Sequence, residues 1–178
     1  MAAAAVALAA AALDARVFLT QEEALKLAFP GAAIEHKIAY LTTAQQHEAQ
    51  KLSSDGELPG AIVSYYVGTK SGRSIGIAYF DTHVVRTMPE TIMVVVDPSG
   101  LVERIEVLSF SEPEEYLPRA HWYEQFQGKP LDAELSLKRA IRPVTGATLT
   151  AHATTDAARR VLALDRVLRP SQPQEPSK

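Results

Sequence analysis

The chain has 178 residues, no cysteine and a formal charge of −3, with apolar residues close to half of the total and charges of both signs. That length suits one domain with its own core. Mild acidity, with no Lys/Arg run interleaved with aromatics, argues against a nucleic-acid surface. The absence of cysteine removes disulfides, thiolate metal sites, iron–sulfur ligation and redox thiols together, so a redox role needs a bound organic cofactor.

Ala2 to Leu13 is an unbroken apolar run, mostly alanine, followed by Asp14-Ala15-Arg16. Its length suits the apolar core of a secretory signal and falls well short of the ~20 residues that span a bilayer. No cation precedes Arg16, so two readings stand: a signal peptide whose start lies further upstream, or an alanine-rich helix that frays. Residues 1–16 are set apart on this ground from a domain at 17–168. The Pro/Gln/Ser-rich stretch 169–178 reads as a disordered tail.

The domain opens with a helix signal. Thr20 and Glu23 have capping-box spacing, Leu19 is placed as a staple, and Pro30-Gly31 stops the helix. A short strand is predicted from Ile34 to Leu41. Thr42 or Thr43 then caps a polar helix, closed by Ser53-Ser54-Asp55-Gly56. Ala61 to Thr69 and Ile75 to Val85 are β-branched and aromatic runs joined by the hairpin signal Lys70-Ser71-Gly72-Arg73. Ile92 to Val96 meets Leu101 to Phe110 across Asp97-Pro98-Ser99-Gly100, strong turn chemistry. Four neighbouring runs on short turns read as an antiparallel sheet.

Beyond Phe110 the pattern changes. Ser111 to Tyr116 is a loop or a short helical turn, and His121 to Phe126 a short helix ended by Gly128. Leu131 to Ile141 fits either element. From Ala151 onward Ala153, Ala157, Val161, Leu164 and Leu168 recur at helical spacing, with Arg159, Arg160 and Arg166 on other faces. The fold class predicted is α+β, one domain with an antiparallel sheet flanked by helices.

Chemistry concentrates in Thr145-Gly146-Ala147-Thr148-Leu149-Thr150, which runs into that last helix. A helix N-terminus offers unpaired N–H groups and partial positive charge to a phosphate. Gly146 allows a tight turn and close approach of a ligand to the backbone. The hydroxyls of Thr145, Thr148 and Thr150 can bond a phosphate, and one could carry a phosphoester. On residue chemistry alone, a turn followed by a threonine N-cap explains the same letters.

The motif resembles that of the FMN-binding domain family, Ser/Thr-Gly-Ala-Thr followed by any residue and then Ser/Thr, at every position. The family includes flavin subunits of respiratory electron-transfer complexes and related exported single-domain flavoproteins. The threonine that the family esterifies to the FMN phosphate corresponds to Thr148, with Thr150 a second candidate. Some members carry an aspartate three residues before the motif; here Arg142 stands there, a cation that can pair with phosphate. Ser109-Phe110-Ser111-Glu112-Pro113 is similar to the strand end that borders the flavin, and Trp122 to Gly128 to an aromatic helix with Phe-x-Gly. The resemblance spans roughly Phe18 to Leu168.

It implies an FMN-binding electron carrier rather than a stand-alone enzyme, with Glu112 and Tyr116 as further flavin contacts. It also implies maturation by a flavin transferase, membrane-bound or soluble redox partners, and an extracytoplasmic location, periplasmic or membrane-associated. The alternatives are a non-redox α+β binding module whose motif is only a helix cap, or a reversible FMN-binding reductase. The five histidines, His36, His47, His83, His121 and His152, show no metal-ligand spacing. No nucleophile elbow, P-loop or dinucleotide fingerprint occurs. Trp122 reads as core, and Glu114 and Glu115 as a wet face.

Overall fold

Thr20 starts the first helix as its spacing requires. In the computed structural model, which describes residues 16–53, 58 and 60–169, the Glu23 N–H donates to Thr20 Oγ1 at 3.2 Å. The Thr20 N–H returns to Glu23 Oε2 at 2.8 Å. Both halves of the capping box are therefore made, and α1 runs Gln21–Ala28. Leu19 packs on the cluster that α1 builds. The apolar run at 1–15, the residues Ser54-Asp55-Gly56 and the tail at 170–178 lie outside the described residues. Arg16, grouped by sequence with the apolar run, belongs instead to the sheet.

Six strands form that sheet: β1 (Arg16–Val17), β2 (Ala33–Tyr40), β3 (Ile62–Lys70), β4 (Arg73–Val84), β5 (Pro89–Val96) and β6 (Val102–Phe110). Their order is β1-β6-β5-β4-β3-β2, and every neighbouring pair is antiparallel. The β3–β4 hairpin turns on Ser71 and Gly72, both at positive φ (51° and 75°), the mirror-image turn that suits the twist of paired strands. The fold is α+β, as the sequence pattern indicates.

Alternation along the strands divides the core between two faces. Ile77, Tyr79, Val94, Val96 and Ile105 point towards α2 (Thr43–Ser53), α3 (Ala120–Tyr123) and the long α4 (Thr148–Leu168). Ala78, Phe80, Met93, Val95 and Leu108 point the other way, onto Leu25, Ala28 and Phe29 at the end of α1. Phe29 reaches its seat because residue 68 has no side chain: a Cβ there would lie 2.5 Å from the Phe29 ring. Gly68→Ala should therefore lower stability by about 1–3 kcal/mol through overpacking. A urea midpoint equal to that of the parent protein would refute the close fit.

Two elements differ from the expectation. Helix α4 starts at Thr148, not Ala151, so Thr148 and Thr150 fall in its first turn and Thr145 precedes it. Leu131 to Ile141 is neither helix nor strand apart from an isolated bridge between Leu137 and Ile141. It is pinned from outside: Arg159 Nη1 donates to the Asp132 and Leu135 carbonyls at 2.6 and 3.0 Å. Of the α4 arginines, Arg159 holds this loop and Arg160 pairs with Asp81. Glu114 and Glu115 are exposed, in a single 3-10 turn at Glu114–Tyr116. Trp122 is buried, and its indole N–H donates to the Arg142 carbonyl at 2.7 Å. That bond ties α3 to the chain entering the motif.

Candidate functional site

The motif lies where loop becomes helix. Gly146 has φ +85°, a left-handed conformation that side chains resist, and the Ala147 N–H closes the turn on the Val144 carbonyl at 3.2 Å. The N-cap position of α4 is Ala147, and no side chain caps the helix. The Thr148 hydroxyl donates backwards, to the Val144 carbonyl at 3.0 Å. A threonine N-cap is thus not what these residues make. The first-turn N–H groups remain available, at the positive end of a 21-residue helix.

Burial separates the two candidate threonines. Thr148 is exposed, whereas Thr150 is 0 % exposed and its hydroxyl donates to the Tyr116 carbonyl at 2.5 Å. An enzyme can reach the first. The second joins the 3-10 turn to α4. Thr145 and Gly146 are exposed beside them, Ala147 is buried, and Leu149 projects outward.

A cleft of about 160 Å³ opens against this turn, lined by Arg86, Tyr116 and the motif residues Gly146 to Thr150. Arg86 comes from the β4–β5 turn and lays its guanidinium over the Tyr116 ring, 4.3 Å from the centroid. The stacking holds a cation beside the open helix end. Nothing in the local sequence of Arg86 marks it; only the strand order brings its turn to the motif.

Glu112 works one step away from the cleft. Its Oε1 accepts from the Thr87 N–H at 2.6 Å, the Met88 N–H at 2.8 Å and the Thr87 hydroxyl at 3.2 Å. These bonds, that of the Thr87 N–H foremost, hold its carboxyl below the usual range against the opposing effect of burial. Glu112 thereby clamps the turn that carries Arg86. Tyr116 lines the cleft itself.

Under the next turns of α4 lies a cluster of charges that sequence reading did not assemble. His83 Nδ1 bonds Asp81 Oδ1 at 2.9 Å and His83 Nε2 bonds Glu90 Oε2 at 3.0 Å. Arg160 grips Asp81 with Nε at 3.0 Å and Nη2 at 2.7 Å. Tyr123 and Thr154 donate to Glu90 at 3.4 and 3.3 Å. Burial alone would lower the His83 pKa, but the hydrogen bonds and charges of its two carboxylates outweigh that and push it up to about 9. Burial likewise opposes the ionised Asp81, yet His83 and Arg160 hold its pKa below the ordinary value. The imidazolium therefore sits between two carboxylates. The signal in the sequence is faint: Asp81 and His83 alternate with Phe80 and Thr82 on the helix-facing side of β4, and His83 stands opposite Glu90 in register.

Comparison of the chain with family models, with curated proteins and with solved structures gave no match. No helix among the described residues is long and apolar enough to cross a membrane. The residues at the motif nevertheless suit a phosphoester. An exposed hydroxyl, an uncapped helix end, a glycine turn and a stacked guanidinium meet in one cleft.

Proposed function

We propose that the protein is an electron carrier with FMN esterified through its phosphate to Thr148. The observation that supports this most directly is the exposed Thr148 hydroxyl at the uncapped start of α4, in the cleft that Arg86 and Tyr116 complete. The first-turn N–H groups and Arg86 would neutralise the phosphate, Gly146 would give it access to the backbone, and Thr150 would keep the turn rigid. Bound FMN supplies the electron transfer. The protein's own residues hold it, orient it and limit its contact with water. Covalent attachment keeps a cofactor that would otherwise be lost by dilution, which fits an extracytoplasmic protein served by a flavin transferase and by membrane-bound or soluble redox partners.

Intact mass tests the reading. Protein co-expressed with a flavin transferase and exported should gain about 438 Da, FMN less water, and keep it through acid precipitation. A transferase-free cytoplasmic preparation should not. A colourless, unmodified product from both would return the motif to a purely structural role. Yellow protein whose flavin leaves on denaturation would instead mark a reversible flavin binder.

A further inference from the structure

A second cleft, of about 330 Å³, runs along α4 and shares Leu149 with the cleft at the motif. One wall is a stripe of α4, with Leu149, Ala153 and Arg160; the other is the end of β4, with His83, Val84 and the following Val85. Thr148 stands at the head of the same stripe, since residues four and eight further on, His152 and Asp156, also line it. The two lips are aliphatic and uncovered: Val84 is 62 % exposed and Leu149 55 %. At the floor, Arg160 gives Nε and Nη2 to Asp81. Its Nη1 has no acceptor among the described residues. No fully buried side-chain nitrogen or oxygen among the described residues lacks a partner, so Nη1 keeps some exposure, and Arg160 lines the cleft.

We propose that this second cleft seats the ring system of the flavin, the ribityl chain passing Leu149 and the isoalloxazine lying on Ala153 with Val84 and Val85 opposite and its carbonyl edge turned to Arg160 Nη1. The proposal rests on the FMN reading of Thr148 and adds where the ring goes. A flat aromatic system with apolar faces and a polar edge matches a groove with aliphatic lips and a donor at its floor. The reach agrees as well. The helix rises about 18 Å between Thr148 and Arg160, a span that a ribityl phosphate and a three-ring system cover laid end to end. His83 cannot donate to the ring, because both its nitrogens are held by carboxylates. Its charge and that of Arg160 balance Asp81 and Glu90, and Asp156, bonded to His152 at 2.9 Å, adds a carboxylate to the α4 wall of the cleft.

The test uses the flavin-loaded protein, with loading confirmed by intact mass, and reads the visible absorption spectrum and quenching of flavin fluorescence by iodide. Ala153→Phe fills the groove and Val84→Ser removes one lip. Ile38→Ser, on the exposed edge strand β2, is the control. Both groove variants should raise the quenching constant about twofold or more by freeing the ring to solvent, and Ala153→Phe should also shift the absorption bands. The control should match the parent protein. Loaded groove variants with the parent's quenching and spectrum would overturn the seat while leaving the Thr148 reading intact. No mass gain in the parent protein would overturn that reading and the seat with it.

Discussion

Thr148→Ala should abolish acid-stable flavin and leave the domain folded. The Thr148 hydroxyl makes one bond, back to the carbonyl of Val144, and the residue is exposed. Its loss should therefore cost no more than about 1 kcal/mol. Thr150→Val should behave in the opposite way. Valine keeps the shape but removes the donor to the Tyr116 carbonyl, a part-buried bond whose loss costs about 1 kcal/mol or somewhat more. The mass gain should persist in that variant while the urea midpoint falls. A Thr148→Ala protein that still carries about 438 Da through acid would sink the assignment and pass the phosphoester to Thr150. The pair is informative because one residue changes chemistry and the other changes stability. Neither result can be produced by misfolding alone, provided both proteins are measured on both scales.

Local chemistry carried the sequence reading as far as it went. Thr20 and Glu23 are three residues apart, so their capping box is decided within one helical turn, and the structure makes it. Ser71-Gly72 fixes its hairpin in the same way, through dihedrals that those two residues adopt. Segment 131–141 defeated the same method, because its burial is imposed by Arg159 from a helix distant in sequence rather than by a period of its own. Lys138 there even takes a positive φ of 66°. The motif was legible as a string of letters. Its geometry was not: that Thr148 is exposed and Thr150 buried follows from the docking of the 114–116 turn, and Arg86 reaches the site only because β4 and β5 are neighbours. The ion cluster needed four residues from three elements, with spacings that no local rule connects.

That cluster makes the second large prediction, a stability that falls as the solution becomes alkaline. The His83 side chain is 10 % exposed and bonded on both nitrogens, with a pKa pushed up to about 9 from an ordinary 6.5. In the unfolded chain the proton leaves near the ordinary value. Below that value both states hold it and the stabilisation is complete. Between about pH 6.5 and 9 only the folded state keeps the proton, and the stabilisation declines until the folded state loses it too. A shift of this size corresponds to about 3 kcal/mol. Asp81 sets the acid side: its folded pKa is depressed, so its contribution is present above the ordinary carboxylate value and is lost as pH falls through the folded one. The groups around His83 from the packed elements are Asp81 on its own strand, Glu90 on β5 and Arg160 on α4, with Tyr123 and Thr154 reached through Glu90, and with His152 and Asp156 of α4 lining the same cleft. Urea unfolding of the parent protein and of His83→Gln at several pH values reads the effect. The two should differ most at about pH 6 and converge towards about pH 9.5 as the histidine becomes neutral. Parallel curves across that range would mean that His83 carries no extra proton in the folded state. Arg160→Leu should be costlier at every pH, by about 3–5 kcal/mol, because it strands a buried carboxylate with one of its two cationic partners gone.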